Sequence, residues 1–217
     1  MSLYLSRWVP GWAFFRSWLY DRMIIGMTSL WYQKVLEIIP PNSKILDVGI
    51  GTGAALIKNG KILQEKNLSV IGIDIDADYL VKCRNLIEEA NLSTRVGCIL
   101  ASATDYKGGP YDAIYFSGSF MIIPSDLRSK MLTNMKNIMS SSNSRFYFTQ
   151  TFQEKRSFFM EYLKPLLAYF TTIDFGKVTY EAEFIRVVEE AGLEIEKMEK
   201  ISQHMGRSAR LVVAKIK

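Results

Sequence analysis

The stretch Lys44-Ile45-Leu46-Asp47-Val48-Gly49-Ile50-Gly51-Thr52-Gly53-Ala54 decides the fold. Its opening is a short apolar run of the kind a buried strand presents, and it stops abruptly in alternating glycines. A segment with helical patterning follows. About twenty residues further on comes a second apolar run that ends in an acid, Val70-Ile71-Gly72-Ile73-Asp74. That order reads as strand, tight turn, helix, strand, carboxylate. Glycines in the turn permit positive φ and let a ligand lie against the main chain. An ionised Asp accepts hydrogen bonds and can hold two ribose hydroxyls. The combination specifies a site for an adenosine-bearing cofactor.

The glycine spacing narrows the cofactor. Dinucleotide folds use Gly-x-Gly-x-x-Gly, with a pyrophosphate at the helix N-terminus. Here the spacing is Gly49-x-Gly51-x-Gly53, preceded by Asp47. This pattern resembles motif I of the class I S-adenosylmethionine-dependent methyltransferases, and the resemblance extends over roughly residues 35–217. It implies an α/β fold: a Rossmann-like seven-stranded mixed sheet, its last strand antiparallel and inserted between strands five and six, with helices on both faces. It implies S-adenosyl-L-methionine as cofactor and S-adenosyl-L-homocysteine as product. Backbone N–H groups around the glycines are then expected to take the cofactor's carboxylate, and Asp47 to add negative charge near its cationic end. Asp74 is expected on the ribose, with Ile75 beside it.

Further segments extend the resemblance. Arg95–Leu100 looks like the third strand, and Ala101-Ser102-Ala103 follows it. The family often has an acid here for the adenine amino group, so Ser102 and Ala103 are expected at the adenine. Ser102 is a weaker acceptor than a carboxylate; Asp105 stands close enough in sequence to compensate. Tyr111–Ser119 resembles the fourth strand and the segment that faces the transferable methyl group. Small Ser117, Gly118 and Ser119 would let cofactor and acceptor approach, although Ser and Gly are also ordinary strand-to-loop residues.

The chain has 217 residues, 48% of them hydrophobic, which suffices for one domain with a substantial core. The net charge of +5 comes from scattered Lys and Arg, best read as a solvated basic surface. Cys83 and Cys98 fall in an expected helix and strand without metal spacing, and read as buried free thiols of a reducing compartment. No apolar run is long enough to span a membrane. Arg7, Pro10, Arg16, Asp21 and Arg22 interrupt the N-terminus, so the expectation is a cytoplasmic protein without a signal peptide.

Residues 1–40 form an N-terminal extension dense in aromatics, with helix expected over about 11–20 and 22–39 and an end at Pro40-Pro41. Strands are expected at 44–48, 69–74 and 145–150, with helices over about 53–66, from Asp76 onward and over about 125–139. An apolar helix within 152–176 interrupts the alternation, and in many family members an insertion here covers the substrate. A helix from Thr179 to about Gly192 and an antiparallel pair, Leu193–Ile201 and Ala209–Ile216, close the chain.

Methyl transfer from a sulfonium is an in-line displacement from a good leaving group, so alignment and exclusion of water matter most. No catalytic triad is evident, and no catalytic base can be assigned. The lone His204 reads as exposed and inert. Ser117 stands where metal-dependent catechol-type relatives place a metal-binding acid, so no metal is expected. Ser117-Gly118-Ser119-Phe120 differs from the Asn/Asp-Pro-Pro-aromatic segment of nucleic-acid amino-methyltransferases, so no nucleic-acid partner is expected either. Trp12, Phe15 and Trp18 are expected to form a lid over an apolar or amphipathic small molecule or lipid. The alternatives are that these aromatics pack the core or contact a membrane surface with Arg7, Arg16 and Arg22. A protein substrate and a non-catalytic scaffold remain rival readings.

Overall fold

Five apolar runs pair as parallel strands: β1 (Lys44–Val48), β2 (Ser69–Asp74), β3 (Val96–Leu100), β4 (Ala113–Ser117) and β5 (Arg145–Gln153). The hairpin of β6 (Leu193–His204) and β7 (Arg207–Ile216) completes a seven-stranded sheet in the order β3-β2-β1-β4-β5-β7-β6. β7 runs antiparallel to both β5 and β6, as the sequence leads one to expect. The computed structural model describes residues 25–153, 180–204 and 207–217. Its helices are α1 (25–38), α2 (Ala54–Ile57), α3 (Gly60–Glu65), α4 (Ala77–Glu89), α5 (Ser125–Lys136) and α6 (Glu181–Glu190). No helix among the described residues is long and apolar enough to cross a membrane.

Alternation along the strands sends side chains to two separate cores. On one face Leu46, Ile114, Phe116 and Phe148 meet Met131, Leu132 and Met135 of α5 and Phe184, Val187 and Val188 of α6. Phe116 and Phe148 stack with centroids 5.1 Å apart, and Phe184 meets Phe148 edge-on at 5.2 Å, an arrangement the ring quadrupoles favour. On the other face Ile45, Val70, Tyr115, Tyr147 and Leu211 lie under α1 and α4, which contribute Tyr32, Val35, Leu36, Ile39, Leu80, Cys83 and Ile87.

Strand order reverses between β1 and β4, which are neighbours reached by crossovers in opposite directions. Open α/β sheets bind ligands in the crevice beyond the carboxyl ends at such a point. The glycine turn follows β1 there, and Ser117-Gly118-Ser119 follows β4.

Local chemistry explains where the elements depart from expectation. The helix expected over 53–66 is two short helices. Buried Asn59 donates its side-chain amide to the carbonyls of Ala55 (2.9 Å) and Ser29 (3.0 Å), and Gly60 then fits beneath Leu92. Asp76 caps α4 as its acids suggest, accepting from the N–H of Asp78 at 2.9 Å and Tyr79 at 3.1 Å. β5 runs on to Gln153, so Phe152 and Gln153 are strand rather than the start of a covering insertion; Phe152 is buried against Phe184 at 5.3 Å. The rest of the segment 154–176, and the lid candidates Trp12, Phe15 and Trp18, lie outside the described residues. Cys83 and Cys98 are free thiols, but only Cys83 is fully buried; Cys98 on edge strand β3 is partly exposed.

The part of the N-terminal extension that is described is a core layer. Trp31, Tyr32, Val35, Leu36 and Ile39 are all buried on the sheet. Lys66 donates to the carbonyls of Leu36 and Glu37, each at 2.7 Å, and of Ile39, closing the C-terminal end of α1 with a cation.

Buried Arg128 of α5 fastens the chain after β4. It donates to the carbonyls of Met121 (2.7 Å) and Ile123 (2.8 Å) and pairs with Glu183 of α6 at 3.1 Å. Removing a buried guanidinium leaves carbonyls without donors. The variant Arg128→Ala is expected to lose about 3 kcal/mol of stability in urea unfolding. Arg128→Lys should restore only part of it, because an ammonium cannot reproduce the planar fork.

Candidate functional site

The turn after β1 is held by β2. The N–H groups of Gly49 (2.8 Å) and Ile50 (3.2 Å) both donate to the carbonyl of Ile73. Gly51 then donates to Oδ2 of Asp74 at 2.8 Å, while Oδ1 of Asp74 accepts from Asp76 N–H at 3.0 Å. Gly51 has φ +57°, and a Cβ there would meet no atom within 4 Å. Its backbone therefore faces open space in a conformation that L side chains rarely adopt. Gly49 is bare for another reason: a Cβ would come within 2.6 Å of the Cβ of Ser119. Gly53 is packed against Cys83 in the same way.

Asp74 thus stands beside the turn with both oxygens braced by main-chain donors. Each carboxylate oxygen has a second lone pair for a ligand hydroxyl. Ile75, the next residue, is 78% exposed, an apolar surface beside that carboxylate. On β3's exit, Ala101 N–H donates to Asp74 O at 3.0 Å, which sets Ser102 and Ala103 just beyond it. The Ser102 hydroxyl lies 2.7 Å from that of Thr104, which in turn donates to Asp105 at 2.9 Å. Ser102 and Asp105 are thereby joined through Thr104 in a local polar chain.

The small residues after β4 answer to their neighbours. Ser119 donates its hydroxyl to the carbonyl of Val48 and packs on Gly49. Gly118 has φ +71°, and a Cβ on it would lie 3.4 Å from the Trp31 ring. Ser117, the last residue of β4, is half-buried. Gly49, Gly51, Asp74, Ser102, Ala103 and Ser117 all fall along the carboxyl ends of β1 to β4.

Asp47 is 1% exposed and sits one residue inside the end of β1. Tyr32 of α1 donates its hydroxyl to Oδ2 at 2.6 Å, and Oδ1 has no partner among the described residues. Burial pushes the Asp47 carboxyl up to about 7; the Tyr32 hydrogen bond opposes the shift and the charge of Asp74 adds to it. Tyr32 packs edge-on against Tyr115 at 5.0 Å, and Tyr115 shares a 2.8 Å hydrogen bond with Thr149. Sequence reading missed Tyr32 as part of the site. The signal was present: Tyr32, Val35, Leu36 and Ile39 form one apolar helical face, and a buried Tyr hydroxyl needs a partner.

Of the backbone N–H groups around the glycines, those of the three glycines themselves are already engaged. Gly49, Gly51 and Gly53 all donate within the protein, Gly53 to Ile50 O at 3.0 Å. Elsewhere, His204 ends β6 and pairs with Arg207 in the hairpin, away from the carboxyl ends of β1 to β4. Among the described residues no three His, Cys, Asp or Glu side chains are grouped to hold a metal.

Residues 45–142 match the family model described as a methyltransferase domain. Solved structures share the fold. A S-adenosylmethionine-dependent methyltransferase from Aquifex aeolicus aligns with TM-score 0.64 and 19% identity, covering 86% of this chain and 89% of that one. Geranyl diphosphate methyltransferase in complex with S-adenosylmethionine aligns with TM-score 0.67 and 12% identity, covering 87% and 85%. The [4+2]-cyclase SpnF aligns with TM-score 0.67 and 13% identity, covering 87% and 81%. A search of curated proteins returned no match.

The Asp47 carboxyl makes the ligand-free protein pH-sensitive. Its folded-state pKa lies above its ordinary value, so the native state keeps a proton that the unfolded chain releases. The resulting stabilisation is complete below the ordinary carboxyl pKa and is lost as pH rises through about 7. Relative to Asp47→Asn, the unaltered protein should therefore lose stability between about pH 4 and about pH 7. Urea unfolding of both proteins across that range checks it; parallel curves would show that Asp47 ionises normally.

Proposed function

We propose that the chain, whose residues 45–142 match the methyltransferase-domain model, is a class I S-adenosylmethionine-dependent methyltransferase that methylates a small apolar or amphipathic metabolite or lipid by in-line transfer. S-adenosylmethionine is the cofactor and supplies a methyl group already activated on a sulfonium. The observation that carries the reading is the bare Gly51 turn with Asp74 at its N–H, at the point where strand order reverses.

In this reading Asp74 accepts the ribose hydroxyls through its remaining lone pairs, and Gly51 lets the cofactor lie against the main chain. Ile75 covers one face of the adenine. Ser102 and Ala103 border the adenine, the Ser102 hydroxyl turning between Thr104 and the base. Asp47 offers its unpartnered oxygen to the cationic end. Ser117 closes β4 beside the methyl group, where the half-buried strand ends exclude bulk water.

Two features support an apolar acceptor. Ile122 is 80% exposed in the short 3-10 turn Phe120–Ile122 that directly follows the Ser117–Ser119 segment. A fold neighbour acts, by its name, on geranyl diphosphate, itself a small molecule.

Calorimetric titration with S-adenosylhomocysteine should give saturable binding, and Asp74→Asn should weaken it by on the order of tenfold or more, as loss of hydrogen bonds to a charged acceptor does. Unchanged affinity would show that Asp74 serves only the turn. Tritiated methyl transfer to cell-extract fractions tests the acceptor. Label is expected in the organic phase; label confined to precipitable protein would defeat the small-molecule assignment.

A further inference from the structure

The amino-acid head of the cofactor is a zwitterion, so a site for it needs both a donor and an acceptor. The acceptor is present at Asp47. The donor is not at the glycines, since Gly49, Gly51 and Gly53 direct their N–H groups to Ile73, Asp74 and Ile50. Two buried side-chain donors at this end of the sheet have no partner among the described residues, the Ser117 hydroxyl and the indole N–H of Trp31, and of these only the indole is unable to accept. Trp31 is 4% exposed, and its Nε1 has no acceptor among the described residues. An indole nitrogen can only donate, and a buried donor without a partner is rare enough to call for a cause.

Trp31 lies where that cause is expected. Its ring borders Gly118, the residue after β4, and β4 is the neighbour of β1 across the strand-order reversal. The following residue, Tyr32, holds Oδ2 of Asp47 and leaves Oδ1 open. Consecutive residues of one helix thus reach the ends of both strands. The helix itself is fixed by Val35, Leu36 and Ile39 in the core and by Lys66 at its C-terminal end. A donor-only indole nitrogen and an unpartnered carboxyl oxygen, both buried, are carried by one element and the strand it packs on.

We propose that Trp31 anchors the carboxylate of the cofactor's amino-acid head through Nε1–H, while Asp47, oriented by Tyr32, accepts from the ammonium group. This assignment rests on the cofactor reading above and gives α1 a binding role in addition to packing.

The test compares two ligands on two proteins by calorimetry. S-adenosylhomocysteine carries the amino-acid head; 5′-methylthioadenosine has the same adenosine and thioether without it. Trp31→Phe keeps an aromatic ring and deletes the donor. Its affinity for S-adenosylhomocysteine should fall by on the order of tenfold to a hundredfold, and that for methylthioadenosine should stay within about twofold. Unchanged affinity for both would hand the carboxylate to another donor, and an equal loss for both would make Trp31 a packing residue; either overturns the assignment. A second measurement needs no variant at position 31. In isotope-labelled unaltered protein, one indole N–H resonance should shift with S-adenosylhomocysteine and stay in place with methylthioadenosine; no such difference would equally overturn it. If the unaltered protein bound neither ligand, the cofactor site itself would be wrong, a result distinct from the loss of Trp31's role alone.

Discussion

The hydrogen bond from Gly51 to Asp74 ties the end of one strand to the end of the next. It holds a turn in a left-handed conformation, and the open space beside Gly51 exists because no side chain grows from it. Asp74 braces the main chain with one lone pair on each oxygen, and a second lone pair on each is what the proposed ribose contact would use. The Ile73 carbonyl adds two further bonds to the same turn. The turn after β1 is thereby held to the end of β2 by three hydrogen bonds.

The floor of the crevice is an equally constrained polar layer. Asp47, Tyr32, Tyr115 and Thr149 are buried together on the face that α1 covers. A buried carboxylate is unfavourable unless paired, and Tyr32 pairs only one oxygen of Asp47. The raised pKa of Asp47 is the consequence in the ligand-free state. A cationic ligand reverses that logic, because an opposite charge nearby favours the ionised carboxyl. The site's incompleteness is electrostatic as well as geometric, and the buried indole N–H of Trp31 has the same unfinished character.

Opposite the floor, the chain beyond β4 is held from two directions. Ser119 ties it to the end of β1, and Arg128 ties Met121 and Ile123 to α5 and α6. Gly118 is a glycine for its positive φ, and Ser119 packs so closely on Gly49 that Gly49 has no room for a side chain. A fold shared with a [4+2]-cyclase as well as with methyltransferases shows why such details matter: the architecture supplies the crevice, and the residues lining it set the chemistry.

The sequence alone determined β1 and β2 to the residue, the order of strands and helices, the antiparallel last strand and the place of Asp74, because these are written in local patterns: apolar period, glycine spacing, an acid at a strand end. It placed a single helix over 53–66 and ended β5 at residue 150, both wrongly, since Asn59 and Phe152 take their positions from distant partners, Ser29 and Phe184. Only the tertiary structure decided that α1 packs on the sheet as a core layer, that Tyr32 meets Asp47 and that the N–H groups of Gly49, Gly51 and Gly53 are already engaged. The reason is physical: period and spacing report which face of an element is buried, whereas the identity of the atom across a packed interface depends on how the whole sheet brings separate segments together.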